Sequence, residues 1–280
     1  MNNTMALALS RLRGIAGVHI VALCLLAVSA AATAQPHPLP LQALEKQGLT
    51  IVGTFPSPGG LSAYAAYVGQ RPIALYITPD GKHVIAGTLF DADGKNLTSD
   101  ALEKAVSKPM TDGVWRQLEK SRWIADGRDT AARTVYVFTD PNCPYCNKLW
   151  ADARPWVDAG KVQLRHVMVG ILTPTSVGKA AALLNDKNPV AALAAYEREH
   201  VAANAKTLAS GQPRPLADGG LKPLSNVPAA LQAQLDANAK MMASFGLQAT
   251  PALVWRDDKG AIQMSQGAPE AGLASIFGPR

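Results

Sequence analysis

Apolar and polar positions change period several times along the chain, and each change marks an element. Leu39, Leu41 and Leu44 recur among polar neighbours, which predicts a short helix over residues 38–48. From Leu49 the period drops towards two. Residues 49–52 begin a strand, 56–60 are a turn cluster, 61–68 and 73–78 are further strands, and 83–90 reads as a return strand. Pro79-Asp80-Gly81 is a turn with a mechanism, since proline presets φ and glycine accepts the left-handed region. Residues 35–100 are thus expected to form a helix followed by an antiparallel meander. Roughly 66 residues lie near the lower limit for a self-sufficient core. Such a sheet needs its edges covered, and a second copy would supply the cover.

Asp100 with Glu103 three residues on has the form of a capping pair opening a helix. The helical pattern meets Pro109, resumes near Val114 and runs to about Trp123. Its surface is largely charged, which favours a linker helix at 101–125 over an ordinary surface helix. Beyond it, residues 134–139 (TVYVFT) form a buried-strand pattern leading through Asp140-Pro141-Asn142 into Cys143-Pro144-Tyr145-Cys146. Leu149, Trp150, Ala153, Trp156 and Val157 continue as a helix kinked at Pro155, and 162–169 is a second strand. Helices are expected over 176–206 and 228–245, around a Gly/Pro-rich loop at 211–223. Strands at 252–255 and 261–265 and a helix at 269–277 complete the chain. This order predicts an α+β chain whose second part, 126–280, is a thioredoxin fold with a helical insertion at about 147–249.

The N-terminus reads differently. Arg11 and Arg13 precede an apolar run over 15–32 that ends in Ala32-Thr33-Ala34. A positive start, an apolar stretch and a small-x-small site predict a secretory signal peptide at 1–34, favoured over a retained anchor. Cys24 lies in the apolar run and is expected to leave with it. Export across the inner membrane follows from this reading. With 48% hydrophobic and 17% charged residues the chain is neither disordered nor fibrous. A mean hydropathy of +0.03 is too low for a polytopic membrane protein. The net charge of +6 contains no long basic block, so no nucleic acid is expected as a partner.

Cleavage after Ala34 leaves Cys143 and Cys146 as the whole cysteine content. Zinc needs four ligands, and His37, His83, His166 and His200 are scattered without ligand spacing, so no metal is expected. A structural disulfide across so short a loop removes little unfolded-state entropy. A redox dithiol at a strand-to-helix turn is the strongest reading. At a helix start, unpaired N–H groups and the macrodipole favour the thiolate, and Pro144 fits the first helical turn. Cys143, expected on the exposed side, is the natural nucleophile; Cys146, one turn inward, is the resolving thiol, and the pair is the expected redox-active disulfide. In a thioredoxin-type fold Thr250-Pro251 faces the pair with a cis bond. Backbone at Thr250 is then open to strand addition by a substrate, and its hydroxyl can reach the sulfurs. Pro144, Tyr145, Thr250 and Pro251 are the expected tuning and substrate-binding residues. His166 is expected as a strand residue rather than a catalyst, Asp140 either tunes the site or caps the helix, and the tryptophans are packing residues.

The stretch 135–146 (VYVFTDPNCPYC), with 153–158 (ARPWVD) and 160–165 (GKVQLR), resembles the DsbC/DsbG family of periplasmic disulfide isomerases and reductases. The strand at 51–55, the run 76–83 (YITPDGKH) and 249–252 (ATPA) extend the resemblance over nearly the whole mature chain. Pro144, Thr250 and the lack of a second disulfide bring it closest to the DsbG branch. The resemblance implies a V-shaped homodimer joined through a cystatin-like N-terminal dimerisation domain at 35–100, with linker helices and facing thioredoxin domains. It implies reduction by the membrane protein DsbD, no cofactor, and isomerase, sulfenic-acid reductase and chaperone-like roles towards exported clients. The 207–227 loop is longer and richer in Pro and Gly than the family pattern. A DsbA-like disulfide donor, or a chaperone with little redox role, are the alternatives; the added N-terminal domain weighs against the donor.

Overall fold

The computed structural model describes residues 36–268 and 270–279; the expected signal peptide at 1–34, Cys24 included, lies outside the described residues. Among the described residues the strands form two sheets.

The first sheet is a meander. Helix α1 (Leu39–Lys46) opens on Pro38, and strands β1 (Thr50–Phe55), β2 (Ser62–Val68), β3 (Arg71–Ile77) and β4 (Val84–Ala86) pair antiparallel in chain order. Alternation sends Ala66, Leu75 and Ile77 to one face, against Leu41 of α1. Phe55, Ala63, Ala65, Ala74 and Tyr76 go to the other. The expected return strand is cut to three residues. From Asp91 the chain folds on itself, with Asp91 Oδ1 accepting from the amides of Asp93 (3.0 Å) and Lys95 (2.9 Å). Leu89 N donates to Thr98 Oγ1 at 2.8 Å, so this segment is tied down outside the ladder.

Helix α2 (Ser99–Lys120) runs unbroken through Pro109. The expected Asp100–Glu103 capping pair does not form. Asn96 Oδ1 instead accepts from Thr98 N (2.8 Å) and Ser99 N (3.0 Å), while the Thr98 hydroxyl is taken by Tyr76 and Leu89. Val106 of α2 packs in the meander core, and Val114 and Leu118 pack in the second domain, so the helix bridges both. The approach is close at Gly113, where a Cβ would stand 2.5 Å from the Tyr67 hydroxyl oxygen. The helix stops short of Trp123, which the pattern placed in it; Trp123–Asp126 is strand β5, antiparallel to a central strand.

The second sheet has the order β5-β7-β6-β8-β9, with β6 (Arg133–Thr139), β7 (Val162–Met168), β8 (Ala252–Arg256) and β9 (Ile262–Gln266). Strands β6 and β7 run parallel, joined through α3 (Pro144–Asp152) and α4 (Arg154–Val157); the other pairs are antiparallel. Val135 and Val137 face Leu149, Trp156 and the last helix, α8 (Leu273–Phe277). Tyr136 and Phe138 face Val114 and Leu118, together with Met242 of α7 (Ala229–Ser244). Helices α5 (Ser176–Asn185), α6 (Pro189–Ala209) and α7 build a third core around Met168, Leu183 and Leu193. The chain is therefore α+β: a small cystatin-like N-terminal domain, a linker helix, and a thioredoxin fold carrying a helical insertion. Two helices expected as continuous are divided. Pro155 lies in the first turn of α4, after a break at Ala153, rather than kinking one helix. The 176–206 helix breaks before Pro189, where Asn188 Oδ1 caps α6 by accepting from Ala191 N at 3.1 Å.

Candidate active site

Strand β6 delivers the chain to a buried turn. Asp140 Oδ1 accepts from Asn142 N (2.8 Å) and Ser176 Oγ (2.8 Å), and its Oδ2 from the amides of Ile171 (2.8 Å) and Leu172 (2.9 Å). Asp140 thus ties the turn to the segment after β7 and does not cap α3. The cap is Cys143, whose sulfur accepts from Cys146 N at 3.4 Å, with Pro144 in the first helical turn. Both cysteines are free thiols. Cys143 was expected on the exposed side, yet it is 3% exposed, the same as Cys146, while Tyr145 between them is 51% exposed. Thr250 covers Cys143, whose Sγ lies 3.3 Å from Thr250 O and donates to it when protonated.

The two thiols are held in opposite states. Cys143 is lowered to about 7, first by a hydrogen bond from the Cys146 thiol, then by the Thr250 hydroxyl and the amides of Cys146 and Tyr145, against the opposing effect of burial. Cys146 is pushed well up by burial, by its bond to Cys143 and by the charge of Cys143. The pair therefore shares one proton, which favours a Cys143 thiolate beside a neutral Cys146.

The Thr250–Pro251 bond is cis. Gln266 Oε1 accepts from Gln248 N (2.6 Å) and Ala249 N (3.0 Å), fixing the approach to it. A groove of about 460 Å³ opens here, lined by Tyr145, Lys148, Thr250, Pro251 and Gln266 among others. The structure thus brings together all six expected site residues: Cys143, Pro144, Tyr145, Cys146, Thr250 and Pro251. His166 is a buried strand residue, its Nδ1 2.8 Å from Thr139 Oγ1.

Several polar residues around the dithiol escaped the sequence pattern. Asn147, next to Cys146, donates to Glu197 O (2.8 Å) and Oε2 (2.7 Å), and Asn204 Nδ2 donates to Pro144 O at 2.7 Å. Burial pushes the Glu197 carboxyl up. Tyr196 OH donates to Pro141 O at 2.6 Å, and Lys179 Nζ to Asn142 Oδ1 at 2.6 Å. The available signal was a lone lysine in the otherwise small and apolar stretch 176–185, and Asn147, Glu197 and Asn204 inside helical runs.

Residues 27–99 match the family model described as "Disulfide bond isomerase protein N-terminal domain". The chain is 47% identical over 259 residues to the thiol:disulfide interchange protein DsbG of Pseudomonas aeruginosa, covering 92% of this chain and 95% of that protein. The chain belongs to the DsbC/DsbG family of thiol:disulfide interchange proteins. The DsbG of Escherichia coli is 38% identical over 259 residues, with 91% and 96% covered. The DsbC of Dickeya dadantii is 26% identical over 239 residues, with 84% of each covered. Membership of the DsbC/DsbG family makes this chain a thiol:disulfide interchange enzyme.

Proposed function

We propose that Cys143 and Cys146 are the dithiol through which this enzyme rearranges wrong disulfides, and reduces sulfenylated cysteines, in exported proteins of the periplasm. The opposed protonation of the pair carries the reading: a thiol held to about 7 at a helix start, beside a neutral partner. The Cys143 thiolate attacks one sulfur of a client disulfide; a Cys143–client bond forms, and the other client sulfur leaves and takes a proton. If a different client thiolate attacks the client sulfur of the mixed disulfide, a new client disulfide forms, Cys143 is released reduced and the client has been isomerised. If Cys146 loses its proton and attacks Cys143 Sγ, the Cys143–Cys146 disulfide closes and the client leaves with two electrons. A sulfenic acid enters the same route, with water as the leaving group. The Thr250 backbone and the groove beside it suit an extended client segment.

Reductive turnover needs a dithiol reductant to reopen the pair, the role the family implies for DsbD. The division proposed is a signal peptide to residue 34, a dimerisation domain at 35–100, a linker at 101–125 and a catalytic domain at 126–280, with β5 joining the catalytic sheet. A homodimer through 35–100 is supported by the three-residue edge strand β4 and by the exposed Leu39, Val68, Ile85 and Phe90. Exposed Tyr145, Ile171 and Leu172 beside the dithiol turn favour a coexisting role in holding apolar client segments.

The test is the alkylation rate of Cys143 against pH in the wild-type chain, read by mass spectrometry. Cys146 must stay in place, because its thiol is the largest support of the Cys143 thiolate. A midpoint at about 7 is expected, and one at the free-cysteine value of about 8.5 refutes the reading. Thiol trapping in the native compartment separates the alternatives: a reductase or isomerase is found reduced, a DsbA-like donor oxidised.

A further inference from the structure

The segment between α6 and α7 has no regular structure, yet it is pinned by Gly220 N donating to Glu199 Oε2 at 2.9 Å and by two backbone bonds to distant segments. Leu216 N donates to Asn142 O at 3.0 Å, and Leu224 N to Gly178 O at 3.1 Å. The second contact needs glycine, since a Cβ at 178 would stand 2.7 Å from Leu224 O. Beside Gly178 is Lys179, a lysine with 0% exposure. Its ammonium donates to Asn142 Oδ1 (2.6 Å), Ala217 O (2.7 Å) and Leu216 O (2.9 Å), with Asp218 Oδ1 at 3.0 Å and the Tyr196 hydroxyl at 3.3 Å. An ammonium is costly to desolvate, and these acceptors satisfy its three N–H groups. Asn142 directly precedes Cys143. Its own N–H goes to Asp140, and its side-chain NH2 to the hydroxyls of Thr173, Thr175 and Ser176. With Leu216 and Lys179 added, every polar group of Asn142 is engaged.

We infer that Lys179 is a positioning residue for the dithiol: it docks the 211–224 loop and, through Asn142, holds the turn that sets Cys143 against the Cys146 amide and the Thr250 hydroxyl. The inference rests on the dithiol reading above. The loop then works as a brace behind the active-site turn, which gives its length a purpose.

Lys179→Met keeps the apolar stem and deletes the ammonium. Its Cys143 alkylation midpoint should rise from about 7 by roughly half a pH unit, with reactivity at pH 7 falling about twofold. Amide exchange over 211–224 should quicken. Lys179→Arg keeps the charge, but its planar fork cannot meet the same acceptors, so it should shift the midpoint the same way. In an Asn142→Ala background, Lys179→Met should still loosen the loop and leave alkylation unchanged. A wild-type midpoint in Lys179→Arg would overturn the inference, as would effects of Lys179→Met and Asn142→Ala that simply add. A wild-type chain that itself titrates at about 8.5 would sink the dithiol reading instead.

Discussion

The meander β1–β4 and the sheet β5–β9 bury their strands to different depths. Val135 to Phe138 of β6 are all fully buried, with helices on both faces of the sheet. The meander has helices on both faces too, but four of its core positions are alanines (Ala63, Ala65, Ala66 and Ala74), beside larger Leu75, Tyr76 and Ile77, and β4 leaves Ile85 54% exposed. Alanine lets α1 and α2 lie close but removes little apolar area from water, so this sheet gains less from its own core. Large side chains around the dithiol turn make a rigid frame, and catalysis needs one. A small sheet with apolar residues at its margin is suited to completion by a second copy. Helix α2, with Val106 in one core and Leu118 in the other, is where the two meet.

The sharpest separation is chemical. Cys143→Ser should abolish thiol exchange, while Cys146→Ser should accumulate mixed disulfides with clients on non-reducing gels. Neither change should alter amide protection in β1–β4. Exchange surviving in Cys143→Ser would move the reaction away from this turn.

Next in size is a cavity in the meander. Leu75 is 1% exposed at the centre of β3, and Leu75→Ala should cost about 2–5 kcal/mol. Amide exchange should rise across β1–β4 and stay low in β6 and β7, and Cys143 should alkylate as before. The sedimentation coefficient should fall on dilution sooner than in the wild type. Equal loss of protection in both sheets would show that α2 couples them into one cooperative unit and would break the comparison.

The depth of burial also explains what was legible in the sequence. The meander was readable because period-two strands and the Pro79-Asp80-Gly81 turn are local signals. The Cys143-to-Cys146 motif was readable because a strand, a turn and a helix start adjoin it. Strand β5 was not, since four residues directly after a long helix carry no period of their own. Phe90 extended an apolar run that Asp91 and Thr98 pull out of the ladder. The burial of Cys143 depends on Thr250, 107 positions away. Lys179 meets Asn142 only after α5 has folded back, so neither residue signals the other. Polar contacts between distant segments obey geometry, and a linear pattern does not record it.

A smaller effect should mark the catalytic half in acid. Burial raises the Asp126 carboxyl, but the His166 ring and the Arg154 guanidinium outweigh it and hold the group at about 2. Arg154 binds both oxygens, with Nη1 to Oδ1 at 3.0 Å. A carboxyl depressed in the folded state stabilises above its ordinary value of 3.8, and that stability is lost as the pH falls towards 2. The contribution at neutral pH is about 2 kcal/mol. Asp126→Asn should therefore be less stable by about that much at pH 7 and should converge with the wild type by about pH 2. Urea titrations across this range measure it, and a constant difference at every pH would assign the loss to packing.

The finest test concerns Thr250, whose hydroxyl helps hold Cys143 at about 7. Thr250→Val keeps the shape and the branching at Cβ, along with the carbonyl that accepts from Cys143 Sγ, and deletes only the hydroxyl. A hydrogen bond to a charged group contributes about 1.5 kcal/mol at the low end, which for a two-electron couple is about 30 mV. The hydroxyl favours the thiolate, and the thiolate belongs to the reduced pair. Its loss should raise the Cys143 midpoint and lower the reduction potential by about 30 mV, with β1–β4 and the oligomeric state unchanged. Equilibration of wild type and variant against glutathione buffers reads the difference directly. Equal potentials would make Thr250 a spacer and leave the poise of the pair to the α3 start and to the Cys146 thiol, the largest support that Cys143 has.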